Sequence, residues 1–299
     1  MCEIQFLKRI DNKNISERDF VDFIKFMSLG NTENNHAFGL FNSKGIFKCQ
    51  GDFNYKKIDD NFIKSDNFIV GHNRFATNRS FFEDSAKGII KAGSPIFTID
   101  ANEDRNFIGL TLLNFFNEER KIKKKNSKKE IPFNDNINNH PFKLGDFTIV
   151  HNGIIFNDKE LRKKYNIKTD ITTDSYVILW LINKLFNASK LANRRKRVID
   201  SITKAMNEVE GGYSVILFDK ETKDLFYFKN WNTNFVFKLL GNRLLVGSTK
   251  PNNFEYVYGN KKNIFCPKPD TIYLISEYPI KKVGNISQRI EMKGGKYKW

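Results

Sequence analysis

Four short stretches hold residue types that could carry nucleophilic chemistry together: Met1-Cys2-Glu3-Ile4, Gly71-His72-Asn73-Arg74-Phe75-Ala76-Thr77, His151-Asn152-Gly153 and Thr173-Asp174-Ser175. Met1 stands before a small residue, the arrangement from which methionine is normally trimmed, so the mature chain is expected to begin at Cys2. One residue would then bear both a thiol and a free α-amine, titrating near about 8.5 and about 8. The thiol could attack while the amine, directly or through one water, takes its proton. By itself Cys2 reads as a small apolar residue opening a buried strand. The other three stretches change that reading, since two follow apolar runs (Phe68-Ile69-Val70 and Phe147-Thr148-Ile149-Val150) and the third opens a helical run through Leu185.

With Asn138-Asn139-His140-Pro141-Phe142 between them, these stretches stand in the order found in the class-II glutamine amidotransferases. The chain resembles the glutaminase domain of glucosamine-6-phosphate synthase, an N-terminal-nucleophile hydrolase, discontinuously over residues 2–250. The resemblance implies that Cys2 attacks the δ-carboxamide carbon of glutamine and passes through a glutamyl thioester. It implies that Asn152 and Gly153 hold the oxyanion, through a side-chain amide and a backbone N–H. Arg74 would grip the α-carboxylate with two parallel hydrogen bonds. Phe75, Thr77 and His140 would line the substrate site, and Asp174 would receive the α-ammonium, although an acid there also suits a helix N-terminus. His72 and His151 are expected to support the site from behind. Two departures stand out, Asn34-Asn35-His36-Ala37-Phe38-Gly39 in place of a turn rich in Arg, Gly and Asp, and Asn78 where relatives commonly carry His.

The elements that must position these residues follow from spacing. Residues 2–7 read as a buried strand, and Ser16-Glu17-Arg18-Asp19 as a capping box for a helix over 17–29. Residues 37–41 and 45–49 read as a hairpin. A strand over 146–150 is expected to end in a His151-Asn152-Gly153 turn, followed by helices to Tyr165, over 174–187 and over 192–209. Strands at 212–218, 224–228, 234–239, 243–247 and 271–276 are expected to form a second antiparallel sheet. Two such sheets face to face with helices outside make an α+β, four-layer αββα sandwich, which the resemblance also implies. One domain over 2–299 is expected, with an insertion at 79–137 because 63 positions separate Thr77 from His140. Within it, the apolar segment 107–116 and the run Lys121–Lys129 suit a docking element or a lid.

Composition narrows the class. A 40% apolar and 28% charged chain has no apolar run of membrane-spanning length and no signal-peptide core, so a cytoplasmic, non-membrane protein is expected. Cys2, Cys49 and Cys266 show neither metal-site spacing nor a disulfide framework, and no metal or cofactor is called for. The net charge of +16 sits largely in 121–129 and 194–197, which reads as a solvated face or as a surface for an anionic partner. Glutamine is the expected substrate. A separate ammonia-accepting synthase subunit is the expected partner, since the chain ends at Trp299 soon after the glutaminase portion. Two other readings stay open, a stand-alone hydrolase of γ-glutamyl peptides or amines and an inactive binding module of the same fold. The oligomeric state is not legible.

Overall fold

The computed structural model describes residues 2–74 (apart from 33, 60, 61, 63 and 64) and 136–286 (apart from 232 and 260–263). They belong to one unit of the chain, Met1–Thr77 with Asp135–Trp299. A second unit, Asn78–Asn134, lies outside the described residues, and with it the expected insertion up to residue 135, its apolar segment 107–116 and the lysine run 121–129.

The first half of the described chain runs β1 Glu3–Arg9, α1 Glu17–Asn31, β2 Ala37–Phe41, β3 Ile46–Gln50, β4 Phe68–Arg74, β5 Phe142–Leu144 and β6 Phe147–Ile155. Next come α2 Asp158–Tyr165, α3 Ser175–Ala188, α4 Arg194–Met206, β7 Gly211–Asp219, β8 Asp224–Lys229, β9 Val236–Leu240 and β10 Leu244–Ser248. The last are α5 Pro251–Tyr258, β11 Ile264–Phe265, β12 Thr271–Leu274 and β13 Lys281–Asn285. Seven strands form one sheet in the order β11-β9-β10-β1-β4-β2-β3, and six form the other in the order β13-β12-β8-β7-β6-β5. Each ladder of both sheets is antiparallel.

Strand alternation sorts the side chains into three cores. Ile4 and Phe6 of β1, Val70 of β4, Val150 of β6, Ile216 of β7 and Tyr227 of β8 fill the space between the sheets. Phe23 and Met27 of α1 cover the outer face of the first sheet together with Phe254 and Tyr258 of α5. Val177, Ile178 and Leu181 of α3 and Val198 and Ile202 of α4 cover the outer face of the second. The chain is therefore the expected αββα sandwich. Close approach of α1 depends on Gly71 of β4, where a Cβ would lie 2.2 Å from the Met27 sulfur. The Ser16 capping box also forms, its hydroxyl accepting from the Asp19 N–H and the Asp19 carboxylate accepting from the Ser16 N–H.

Two expectations fail. The strands read at 234–239 and 243–247 do not join the second sheet: β10 pairs with β1, and β9 with β10. Their alternation is the same in either sheet, and what selects the partner is the long-range fit of Leu245 and Phe237 beside Phe6. His151-Asn152-Gly153 is likewise no turn, because β6 continues through all three, pairing them with Val215, Ser214 and Tyr213. The basic run 194–197 opens α4 and is partly neutralised within the fold. Arg194 pairs with Asp219 and Asp146, and Arg195 with Asp224 and Glu277. No helix among the described residues is long and apolar enough to cross a membrane.

Candidate active site

Three strand ends and one helix start converge. Glu3 of β1 pairs with Asn73 of β4, and one further step of that antiparallel register sets half-buried Cys2 level with Arg74. Cys2 alternates with Ile4 and Phe6, and Arg74 with Val70 and Phe68, so both fall on the face turned toward the second sheet. On β6 the same alternation from Val150 gives Asn152 the facing position. Thus the thiol, the guanidinium and the carboxamide occupy one end of the space between the sheets.

Gly153 follows Asn152 inside the ladder with φ +148°, and a Cβ there would stand 1.9 Å from the Gly212 carbonyl oxygen. Glycine is required because β7 approaches this closely, not because the chain turns. The Oδ1 atom of Asn152 is buried without a hydrogen-bond partner among the described residues.

The segment preceding β5 ties the site together residue by residue. The Asn138 side-chain oxygen accepts from the Thr172 N–H at 2.7 Å and the Thr173 N–H at 3.3 Å, which anchors the approach to α3. Asn139 accepts from an Arg74 guanidinium nitrogen and donates to Asn136 Oδ1 at 3.0 Å. The His140 ring lies on the His72 ring with centroids 4.1 Å apart. Gly39 of β2 permits this, because its Cβ would lie 1.9 Å from the His140 carbonyl oxygen.

His72 and His151 join the sheets. The His72 Nε2–H donates to the His151 carbonyl at 3.1 Å. His151 itself turns toward α3, where the Ser175 hydroxyl donates to Nδ1 at 2.7 Å while Nε2–H donates to the Gly212 carbonyl at 3.3 Å. Burial holds all three imidazoles below their ordinary range, His72 at about 3, with neighbouring positive charge adding to the effect at His72 and His140. They are neutral at pH 7, and neither ring nitrogen of His140 has a partner among the described residues. Lys48 lies over the Phe142 ring at 4.9 Å, and burial followed by the Arg74 charge lowers it to about 8.

Asp174 caps α3. Its Oδ1 accepts from the Ser175 N–H at 2.8 Å and its Oδ2 from the Ile155 N–H at 2.7 Å, so one carboxylate links the helix start to the end of β6. Both oxygens keep lone pairs for a further donor.

Cys2, Arg74, His140, Asn152, Gly153 and Asp174 are therefore neighbours through strand ends, register and direct bonds. Phe75 and Thr77 lie outside the described residues. Sequence reading missed Asn138, Ser175, Gly39 and Gly212 as parts of the site. The first two stand inside the quoted motifs, but nothing local reveals which distant groups they bond. No set of three or more His, Cys, Asp or Glu among the described residues is arranged to hold a metal ion.

Residues 129–251 match the family model described as a glutamine amidotransferase domain. An 87-residue segment is 32% identical to 7-cyano-7-deazaguanine synthase 2 of Sulfurisphaera tokodaii, covering 29% of this chain and 17% of that protein. A 101-residue segment is 35% identical to the isomerizing glutamine–fructose-6-phosphate aminotransferase of Staphylococcus epidermidis, covering 32% of this chain and 16% of that one. The match thus spans less than a fifth of these relatives' length. Among solved structures, glutamine phosphoribosylpyrophosphate amidotransferase from B. subtilis aligns with a TM-score of 0.55 at 13% identity, over 96% of this chain and 49% of that chain. At that identity the likeness is one of fold.

Proposed function

We propose that the chain is a class-II glutamine amidotransferase, a reading supported by the family-model match over residues 129–251, and that it hydrolyses the side-chain amide of glutamine through a thioester on Cys2 and releases the ammonia to an acceptor site. The observation that carries this reading is the register that sets Cys2 beside Arg74, on the face opposite Asn152.

With Met1 removed, the Cys2 α-amine takes the thiol proton and Sγ attacks the δ-carbon. The developing oxyanion meets the Asn152 side-chain amide and the Gly153 N–H, donors of a kind worth a hundredfold or more in rate. The C–N bond then breaks, ammonia leaves with the proton returned by the amine, and water splits the thioester to glutamate. Burial holds the three imidazoles below their ordinary range and so makes them weak bases, which supports the α-amine as the base. Arg74, Phe75, Thr77 and His140 are assigned to the substrate site, with Arg74 held at one nitrogen by Asn139. Asp174 is assigned to the α-ammonium.

The test is glutamate release from glutamine by the wild-type chain and by Cys2→Ala, with the N-terminal mass of the natural protein measured alongside. Release confined to the wild type, from a chain lacking Met1, is the expected result. Undiminished release by Cys2→Ala would sink the assignment, and an intact Met1 with no release would favour an inactive binding module.

A further inference from the structure

The space between the sheets has a second mouth, at the end away from Cys2. Thr148 lies four residues before Asn152 on the same face of β6, about 13 Å back along the strand at about 3.3 Å per residue. There Lys143 of β5, Thr148 and Phe218 of β7 stand opposite one another in a single register row. Phe218 packs between the sheets, so this row faces the first sheet. Just past β7, Lys220 still donates its backbone N–H to the Asp146 carbonyl at 2.9 Å. From the first sheet the β2–β3 turn brings Ser43 and Lys44. These six residues line one cavity of about 180 Å³.

The lining is basic and uncompensated. Lys44, Lys143 and Lys220 make no ion pair among the described residues, and no carboxylate lines the cavity. Acids at this end are committed elsewhere: Asp66 accepts the Ser43 and Asn67 N–H groups at 2.6 and 2.7 Å, and Asp146 and Asp219 pair with Arg194. The turn itself is fixed, since Asn42 Oδ1 accepts from the N–H groups of Lys44 and Gly45 at 2.9 and 3.2 Å. Thr148 is only 6% exposed, yet its hydroxyl has no hydrogen-bond partner among the described residues. Buried hydroxyls are normally paired, so one left open in a cavity rimmed by three lysines marks a place for an acceptor-rich ligand.

We infer that this cavity binds a phosphate group, carried by a small metabolite or as the free ion. Three ammonium groups and two hydroxyls are separate point donors that suit a tetrahedral oxyanion, whereas a carboxylate favours the planar fork of arginine. Ordinary ligand pockets start at about 300 Å³, so this smaller one takes the phosphate and little of what bears it. The bound anion bridges the β2–β3 turn of one sheet to β5, β6 and β7 of the other, and binding stabilises the native chain by mass action. The site is independent of the Cys2 chemistry. Its lysines also lie outside the basic runs 121–129 and 194–197.

Isothermal titration calorimetry of the full chain with inorganic phosphate, glycerol 3-phosphate and succinate, at matched ionic strength, tests the site. The expected result is saturable binding of a phosphate compound at least about tenfold tighter than succinate, with a rise in Tm. Whichever of the two phosphates binds tighter identifies the source. Lys143→Gln combined with Lys220→Gln should weaken that binding at least about tenfold, and Thr148→Val at least about threefold, with folding confirmed by circular dichroism. Lys163→Gln combined with Lys168→Gln, which removes the same charge from exposed positions elsewhere, should leave it unchanged. No saturable binding, succinate binding as tightly as phosphate, or equal weakening by both lysine pairs overturns the site. Equal weakening would mean general attraction to a chain of net charge +16.

Discussion

The His72 ring of the first sheet donates from Nε2 to the backbone carbonyl of His151 in the second, at 3.1 Å, with no exposed surface on His72. A single imidazole thus bridges the strand that ends in Arg74 and the strand that carries Asn152. His72→Ala removes this bond, leaves the His151 carbonyl unpaired and opens a void against His140. The expected loss is about 2–4 kcal/mol of unfolding free energy. Urea denaturation measures it, and a loss under about 1 kcal/mol would show that the sheets hold their spacing without the bridge.

The same burial makes stability pH-dependent with a definite sign. His72 is held at about 3 against an ordinary 6.5, and His140 and His151 are also lowered. Between those values the unfolded chain binds protons that the native chain refuses, so stability falls as pH drops from 6.5 toward 3. Each such imidazole contributes a slope of about 1.4 kcal/mol per pH unit within its window. Urea unfolding of the wild type and His72→Gln at pH 6.5, 5.5 and 4.5 should give a flatter dependence in the variant. Parallel curves would refute the assignment.

Gly153→Ala should be far more damaging than Gly241→Ala. The first forces a Cβ to 1.9 Å from a carbonyl oxygen at φ +148°, whereas the second meets nothing within 4 Å and bears only a left-handed φ of +53°. Expected costs are about 3–5 kcal/mol and about 1 kcal/mol respectively. Thermal melts of the two variants decide it, equal costs being the contrary result.

Asn138→Ala unties the loop before α3, leaving the Thr172 and Thr173 N–H groups without their acceptor. A loss of about 2–3 kcal/mol is expected. Since that loop carries Asp174, KM for glutamine should rise as well. A stability loss with KM unchanged would separate the clamp from the substrate site.

Asp174→Asn keeps one accepting oxygen where the native carboxylate uses two, for Ser175 and Ile155. Stability should fall by about 1–2 kcal/mol. If the carboxylate also receives the substrate's α-ammonium, KM should rise at least about tenfold, equivalent to about 1.4 kcal/mol of binding. Denaturation and steady-state kinetics on one preparation test both halves, and a stable variant with unaltered KM would confine Asp174 to capping.

The sequence by itself determined which chemical groups are present, their order and most of the elements that bear them. Alternation and capping are local properties, so β1, the Ser16 box, the β2–β3 hairpin and α3 were all legible, and with them the αββα class. Cys2, Arg74, Asn152, Gly153, His140 and Asp174 were legible as candidates because their residue types and order match a known set. The tertiary structure alone decided their partners. That β10 lies beside β1 rather than in the second sheet, that His151-Asn152-Gly153 stays in a ladder, and that Asn138 grips Thr172 and Thr173 all depend on contacts between residues distant in the chain. A strand's own pattern says which face is apolar, whereas its neighbour is chosen by which side chains fill the space left by the rest of the fold.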